Sequence, residues 1–240
     1  MNRFIRNSDI ELRAEEVLTL YEKKHGTIAH PPVPIEKVVM QVFGLTVDWD
    51  EIEEEEGIIV FGGLNPKRKV IVLNSRQLDL FHSSPGLERS TIGHEAGHWE
   101  YEVDKNAIDH PTLPGFEEGI VFLHKTSRKY GTLTVYRGNI QVVDNKKVRP
   151  DLLRKYDDKD QARVVNRFAA ALSMPRHLLK EAVKGVDLTK WTALYDLKET
   201  FDVSISAMSV RLQQLGYIYI DGKVIHKNKL EAFGQETLGL

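Results

Sequence analysis

The residues best suited to chemistry are two histidines four apart with a glutamate after the first: His94, Glu95 and His98, within Ser90-Thr91-Ile92-Gly93-His94-Glu95-Ala96-Gly97-His98-Trp99. On a helix, residues four apart share a face. His94 and His98 can therefore aim both imidazoles at one metal ion, and neutral imidazole is a good zinc ligand. Glu95 lies one position round the helix, within reach of water at the metal. Zinc draws the pKa of such water towards about 7 and polarises a peptide carbonyl. A carboxylate there can take the water's proton and pass it to the leaving amine. The pattern is that of metal-assisted peptide hydrolysis, with His94 and His98 as ligands and Glu95 as general base. The bland alternative is a pair of surface histidines on an ordinary amphipathic helix. Against it stand the small neighbours Gly93, Ala96 and Gly97. Glycine inside a helix costs up to about 1 kcal/mol relative to alanine. Two of them point to close approach by another element or a substrate.

The elements around the motif follow from periodicity and punctuation. A helix over 83–103 carries it, with Ser83 or Ser84 as cap and Pro85 in the first turn. Before it, GIIVFGG and KVIVLN in 57–74 read as two strands turning at Asn65-Pro66. Further upstream, Ile10, Leu12, Val17, Leu18 and Tyr21 mark a helix over 9–24 that Gly26 ends. An extended linker passes through Pro31-Pro32-Val33-Pro34 into a helix over 34–43. The acidic run at 51–56 reads as a solvated loop or strand edge. Downstream, TLTVY and IQVV form a possible hairpin around Arg137-Gly138-Asn139. Helices follow over 158–173, before Pro175, and over 175–184, ending at Gly185.

This order of motifs resembles the ImmA/IrrE family of bacterial and phage metallo-endopeptidases. The resemblance rests on HEAGH after a β-ribbon, on Asn166-Arg167-Phe168-Ala169-Ala170 followed by Leu172, Met174 and Pro175, and on the tail from Phe201-Asp202-Val203-Ser204 to Gln213-Gln214-Leu215-Gly216. It covers most of the chain, and NRFAAALSMP is far more specific than HEAGH alone. It implies an α+β, zincin-like metallopeptidase fold with a small, mostly antiparallel sheet, and zinc as cofactor. It implies an edge strand, with KVIVLN as the candidate, that can pair with an extended substrate. The partner it implies is a protein substrate, a helix-turn-helix transcriptional repressor cut in a stress or mobile-element response.

In one place the pattern breaks. The family's third ligand is a glutamate four residues before the asparagine that Asn166 matches, and residue 162 is alanine. Alanine has no donor atom. Three readings stay open: an engineered loss of that glutamate, which is favoured; a ligand shifted to Asp158, one turn earlier; or a natural binding protein that regulates the partner without cutting it. Asp160 is near but on another face. His110, His124, His177 and His226 have no partner at ligand spacing. His124 is the one to watch, because it lies between the metal helix and the third-ligand helix. Glu117 and Glu118 are loop acids, Tyr101 and Tyr130 are candidate oxyanion donors, and Phe168, Leu172 and Met174 read as core.

Two parts are expected: a metallopeptidase domain over 1–185 and a C-terminal appendage over 186–240. The appendage, helices at 189–200 and 204–215 with a hairpin at 217–226 about Asp221-Gly222, has a winged-helix outline. It holds six Lys/Arg against seven Asp/Glu, whereas DNA-binding modules are usually clearly basic. It reads as packing or substrate docking rather than a nucleic-acid contact. The whole chain of 240 residues has a net charge of −2 and no cysteine. That composition excludes thiol nucleophiles and Cys-based zinc sites and fits a reducing, cytoplasmic setting. No run approaches the roughly 20 apolar residues of a membrane span.

Overall fold

A computed structural model describes residues 5–54, 58–84, 86–108, 122–129, 132–135 and 158–233. The fold mixes helices with a small sheet. Helix α1 spans Asn7–His25 and buries Ile10, Ala14, Val17, Leu18 and Tyr21. Leu12, expected on that stripe, is out of phase with it and 56% exposed. Gly26 ends the helix at φ 86°, its N–H bonded to the Glu22 carbonyl. After the proline-rich stretch, α2 (Ile35–Val38) continues as a π-helical turn over Val39–Phe43, and Gly44 closes it in the left-handed region.

The sheet holds β1 (Thr46–Asp50), β2 (Ile58–Asn65), β3 (Val70–Asn74), β4 (Phe122–Lys129) and β5 (Thr132–Val135), in the order β1-β3-β2-β4-β5. Two expectations change here, while the mostly antiparallel pairing holds. Strand β1 has no counterpart in the sequence reading: four of its five residues are not even half-buried on a common face, so no two-residue alternation betrays it. It pairs parallel with β3, so the sheet is mixed, with the other pairs antiparallel. And KVIVLN is not an edge. Strand β3 lies between β1 and β2, and among the described residues the outer strands are β1 and β5. The Thr132–Val135 strand pairs with β4, while its expected partner IQVV lies outside the described residues.

Part of the acidic run is not simply solvated. Glu51 and Glu53 are exposed, but Ile52 is buried. Glu54 accepts hydrogen bonds from the Val60 amide (2.8 Å) and from Gln77 Nε2 (2.8 Å). Asn74, wholly buried, completes this clasp through Nδ2 to the Ile52 and Val60 carbonyls and through Oδ1 to the Ile52 amide. The loop is thereby sewn to the end of β3.

The expected long helix over 83–103 is two. Helix α3 spans Leu78–Ser83 and α4 spans Leu87–Tyr101, capped by Gly86 in the left-handed conformation rather than by a serine side chain. Glycine is required there twice over: φ is 79°, and a Cβ would lie 2.3 Å from the Asp202 carbonyl oxygen. Helix α5 (Asp158–Ser173) packs along α4, and α1 packs on α5. Helix α4 is thus a middle layer between the sheet, chiefly β2, and α5. All residues from Thr91 to Trp99 are buried.

Pro175 precedes α6 (Arg176–Ala182), followed by α7 (Trp191–Phe201), α8 (Ile205–Gln214), the β6–β7 hairpin (Tyr219–Asp221 and Val224–His226) and α9 (Lys229–Ala232). Ser204 caps α8 as expected, accepting from the Ala207 amide at 3.1 Å. The hairpin turns at Gly222, with φ 57°. Leu194, Phe201, Met208 and Leu212 of the tail belong to the same buried cluster as Ile10, Phe168 and Leu172. Arg211, fully buried on α8, donates to both Glu11 carboxylate oxygens (2.7 and 2.8 Å) and to the Met174 carbonyl (3.0 Å). Arg167 also pairs with Glu11, at 2.9 Å. The tail is therefore bolted to the first helix and to the end of α5. Among the described residues, no helix is long and apolar enough to cross a membrane.

Candidate metal centre

Helix α4 can carry two glycines because neighbours press on it from both sides. A Cβ on Gly97 would sit 2.9 Å from Val165 Cγ1 and 3.0 Å from the Val165 carbonyl oxygen, so α5 runs against bare backbone there. Gly93 faces Ala169 at an ordinary 3.5 Å. The close approach inferred from these glycines is made by α5, and only Gly97 requires it. On the sheet side, Gly62 of β2 plays the same part, since its Cβ would lie 2.8 Å from Thr91 Cγ2. Ser90 and Thr91 donate their hydroxyls to the Leu87 carbonyl, both at 2.9 Å, which satisfies them at the point where the helix enters its buried stretch.

This packing brings His94 and His98 together. Their Nε2 atoms are 3.0 Å apart and their rings meet edge to face. His94 Nδ1 lies 3.0 Å from Asn166 Oδ1, and His98 Nδ1 lies 2.8 Å from Glu102 Oε2. With a proton on each Nδ1, both oxygens act as acceptors and each Nε2 turns a lone pair towards the other. Two lone pairs at 3.0 Å repel unless a proton or a cation lies between them. Two imidazole–zinc bonds of about 2.0–2.1 Å at a tetrahedral angle would set the nitrogens about 3.3 Å apart, a few tenths of an ångström beyond that separation. Orientation of a ligating imidazole by a carboxylate or an amide oxygen on its other nitrogen is the usual support of such a site. Glu102 was not singled out from the sequence. The signal was present: it lies four residues beyond His98, one turn along the same face.

Glu95 is 0% exposed, and neither of its carboxylate oxygens has a hydrogen-bond partner among the described residues. Burial lifts its pKa to about 7; the neighbouring His98 works against this and Glu102 adds to it. A carboxylate poised there can exchange a proton at neutral pH. His98 moves upward too. Burial pulls it down, but the hydrogen bond and charge of Glu102, with Glu95, outweigh that. The two facing imidazoles are donors of the kind a divalent cation takes, and Glu95 is a buried carboxylate on the same helix.

Residue 162, where the resemblance implies a third ligand, is an alanine. Ala162 is half-buried on α5, one turn before Asn166. Among the described residues, no three His, Cys, Asp or Glu side chains form a group able to hold a metal. Asp158 and Asp160 begin α5, but their side chains lie outside the described set, as do His110, Glu117, Glu118 and Tyr130. His124 is on β4, opposite Gly62. His177 is exposed on α6 and His226 is half-buried on β7. Tyr101 stacks edge-on against Phe168, with ring centroids 5.4 Å apart. Phe168, Leu172 and Met174 are buried, as expected of core residues.

One open space adjoins the centre. A cavity of about 330 Å³ runs between α4, α5 and α8, and His94 and Asn166 line it. Compared with protein-family models and with curated protein sequences, the chain matches none.

Proposed function

We propose that the chain is built as a zinc-dependent endopeptidase of the ImmA/IrrE type, with a zincin-like fold, acting in the cytoplasm on a protein partner of the helix-turn-helix repressor class. The observation that carries this reading is the pair of Nε2 atoms at 3.0 Å beside the buried, unpartnered Glu95. His94 and His98 would hold the ion. Zinc bound there supplies Lewis acidity for a peptide carbonyl and acidifies water. Glu95 accepts the proton of the attacking water as the new C–O bond forms. It then delivers that proton to the amide nitrogen as the C–N bond breaks. Asn166 and Glu102 hold the two imidazoles by their Nδ1 atoms and keep both Nε2 lone pairs turned inward.

A second reading has its own support: the chain binds the same partner without cutting it. Ala162 supplies no donor one turn before Asn166, and two histidines hold zinc more weakly than three protein ligands. Direct contact with DNA through the tail is disfavoured, since Arg211, the one basic residue of α8, is spent on Glu11. The two readings separate when the chain and its Ala162→Glu variant are compared for zinc content and for cleavage of helix-turn-helix repressor proteins. The peptidase architecture predicts higher zinc occupancy and cleavage in the variant. Equal zinc content and equal activity would refute the assignment of position 162 as the missing ligand. Zinc uptake without cleavage would favour the binding protein.

A further inference from the structure

The cavity beside His94 is walled by Ala169, Ala170 and Met174 of α5 and by Val203, Ala207 and Val210 of the tail. None of the side chains lining it carries a full charge; His94 and Asn166 stand among them. Its volume of about 330 Å³ is at the lower end of the roughly 300–1,000 Å³ typical of ligand pockets. That suits one side chain with its adjoining backbone. Gln214 also lines the cavity, and its Oε1 is buried with no hydrogen-bond partner among the described residues. A peptide N–H arriving there would satisfy it. The wall that α8 contributes is held in place by the Arg211–Glu11 pair and by Gly86 pressed against Asp202.

We propose that this cavity is the selectivity pocket of the site, and that it takes an uncharged, leucine-sized side chain of the substrate peptide next to the bond at His94. The proposal rests on the peptidase reading for its substrate, but the pocket itself needs no metal. Three facts single out this occupant. Alanine, valine and methionine side chains share the walls with four serines and no charged residue. A charged group would lose its hydration with no opposite charge to meet it. His94, the residue proposed to bind the ion, is also part of the pocket's lining. The tail then acts in recognition: Ala207 sets the depth, because any larger residue there enters the cavity.

The test uses the full chain, metal-free, with labelled alanine, valine and methionine methyl groups observed by NMR. The probes are the N-acetyl methylamides of leucine, lysine and glutamate. The leucine probe is expected to shift the methyl signals of Ala169, Met174 and Ala207 and to bind at least roughly tenfold more tightly than the other two. Ala207→Phe fills the space and lowers leucine-probe affinity by a similar factor. Val210→Glu, at a rim position 49% exposed and therefore tolerant, reverses the preference between the leucine and lysine probes. It carries the decision if Ala207→Phe does not fold. Equal affinity for all three probes overturns the pocket, as does an unchanged preference in Val210→Glu. Cleavage by zinc-loaded Ala162→Glu is scored separately. A protein that cuts without leucine preference refutes the pocket alone, and one that binds the leucine probe but never cuts refutes the peptidase reading alone.

Discussion

The contact between α4 and α5 makes a quantitative contrast between two glycines four residues apart. At Gly93 a methyl group would meet Ala169 Cβ at 3.5 Å, an ordinary contact. Alanine there gains the helix propensity that glycine forgoes, about 0.5–1 kcal/mol. At Gly97 the same methyl would lie 2.9 Å from Val165 Cγ1, 3.0 Å from its carbonyl oxygen and 3.2 Å from its Cα. Valine is stiff at χ1 and the other two atoms are backbone, so α5 itself must retreat. Overpacking of that kind costs about 1–3 kcal/mol. Set against the same propensity gain, Gly97→Ala loses up to about 2 kcal/mol, while Gly93→Ala gains up to about 1. For a chain of this size, each kcal/mol moves Tm by roughly 2–4 °C. The two variants should therefore melt several degrees apart, on opposite sides of the parent. A retreat of α5 also lengthens the 3.0 Å bond from His94 to Asn166, so Gly97→Ala should bind zinc more weakly and Gly93→Ala should not. Thermal unfolding of the metal-free proteins and competition with a zinc chelator read both effects. Equal stabilisation by the two alanines would refute the packing argument.

Glu102→Ala removes the acceptor on His98 Nδ1 and should weaken zinc binding roughly 10–100-fold, measured by chelator competition, with Glu102→Gln losing less. Glu95 has a folded pKa raised from 4.5 to about 7, so its contribution to stability is fully present below pH 4.5 and is lost as pH rises through 7. Glu95→Gln should accordingly gain roughly 3 kcal/mol on the parent in metal-free unfolding at pH 8, and little at pH 4; no difference in that gain between the two pH values counts against the buried carboxylate. Glu11 behaves in the opposite sense. Burial pushes its pKa up, but Arg211, Arg167 and Arg176 outweigh this and hold it below 4.5. Its stabilisation is present above that value and fades as pH falls through the folded pKa, so acid should loosen the tail in the parent but not further in Glu11→Gln. Arg211→Met leaves Glu11 short of its main partner and should cost about 3–5 kcal/mol by denaturant titration.

How much was legible depended on whether a residue's partner lay within a helical turn. The spacing of His94 and His98 is a property of one helix, and the structure brings the two Nε2 atoms together as the spacing requires. Helices α1, α5, α7 and α8 and strands β2 and β3 also announced themselves, through apolar periodicity, capping serine and terminal glycines. Strand β1 did not, because an edge strand with little buried face carries no alternating pattern. KVIVLN, expected at an edge, is internal for a different reason. Its apolar run reads alike in either position, and only its pairing with both β1 and β2 makes it internal. The break between α3 and α4 turns on Gly86, whose left-handed backbone is fixed by the pressure of Asp202, a residue from the far end of the chain.

By itself, then, the sequence determined the chemistry on offer: two imidazoles and a carboxylate on one helix. These are facts of residue type and local spacing, which a helix converts directly into geometry. The tertiary structure decided what holds and surrounds them. Asn166 reaches His94 because Gly97 lets α5 come close, Glu95 shifts towards neutrality because α4 is enclosed on both sides, and the tail joins the site because Arg211 finds Glu11 from 200 residues away. Burial, charge pairing and the cavity between α4, α5 and α8 exist only when distant segments meet, and no local pattern encodes them.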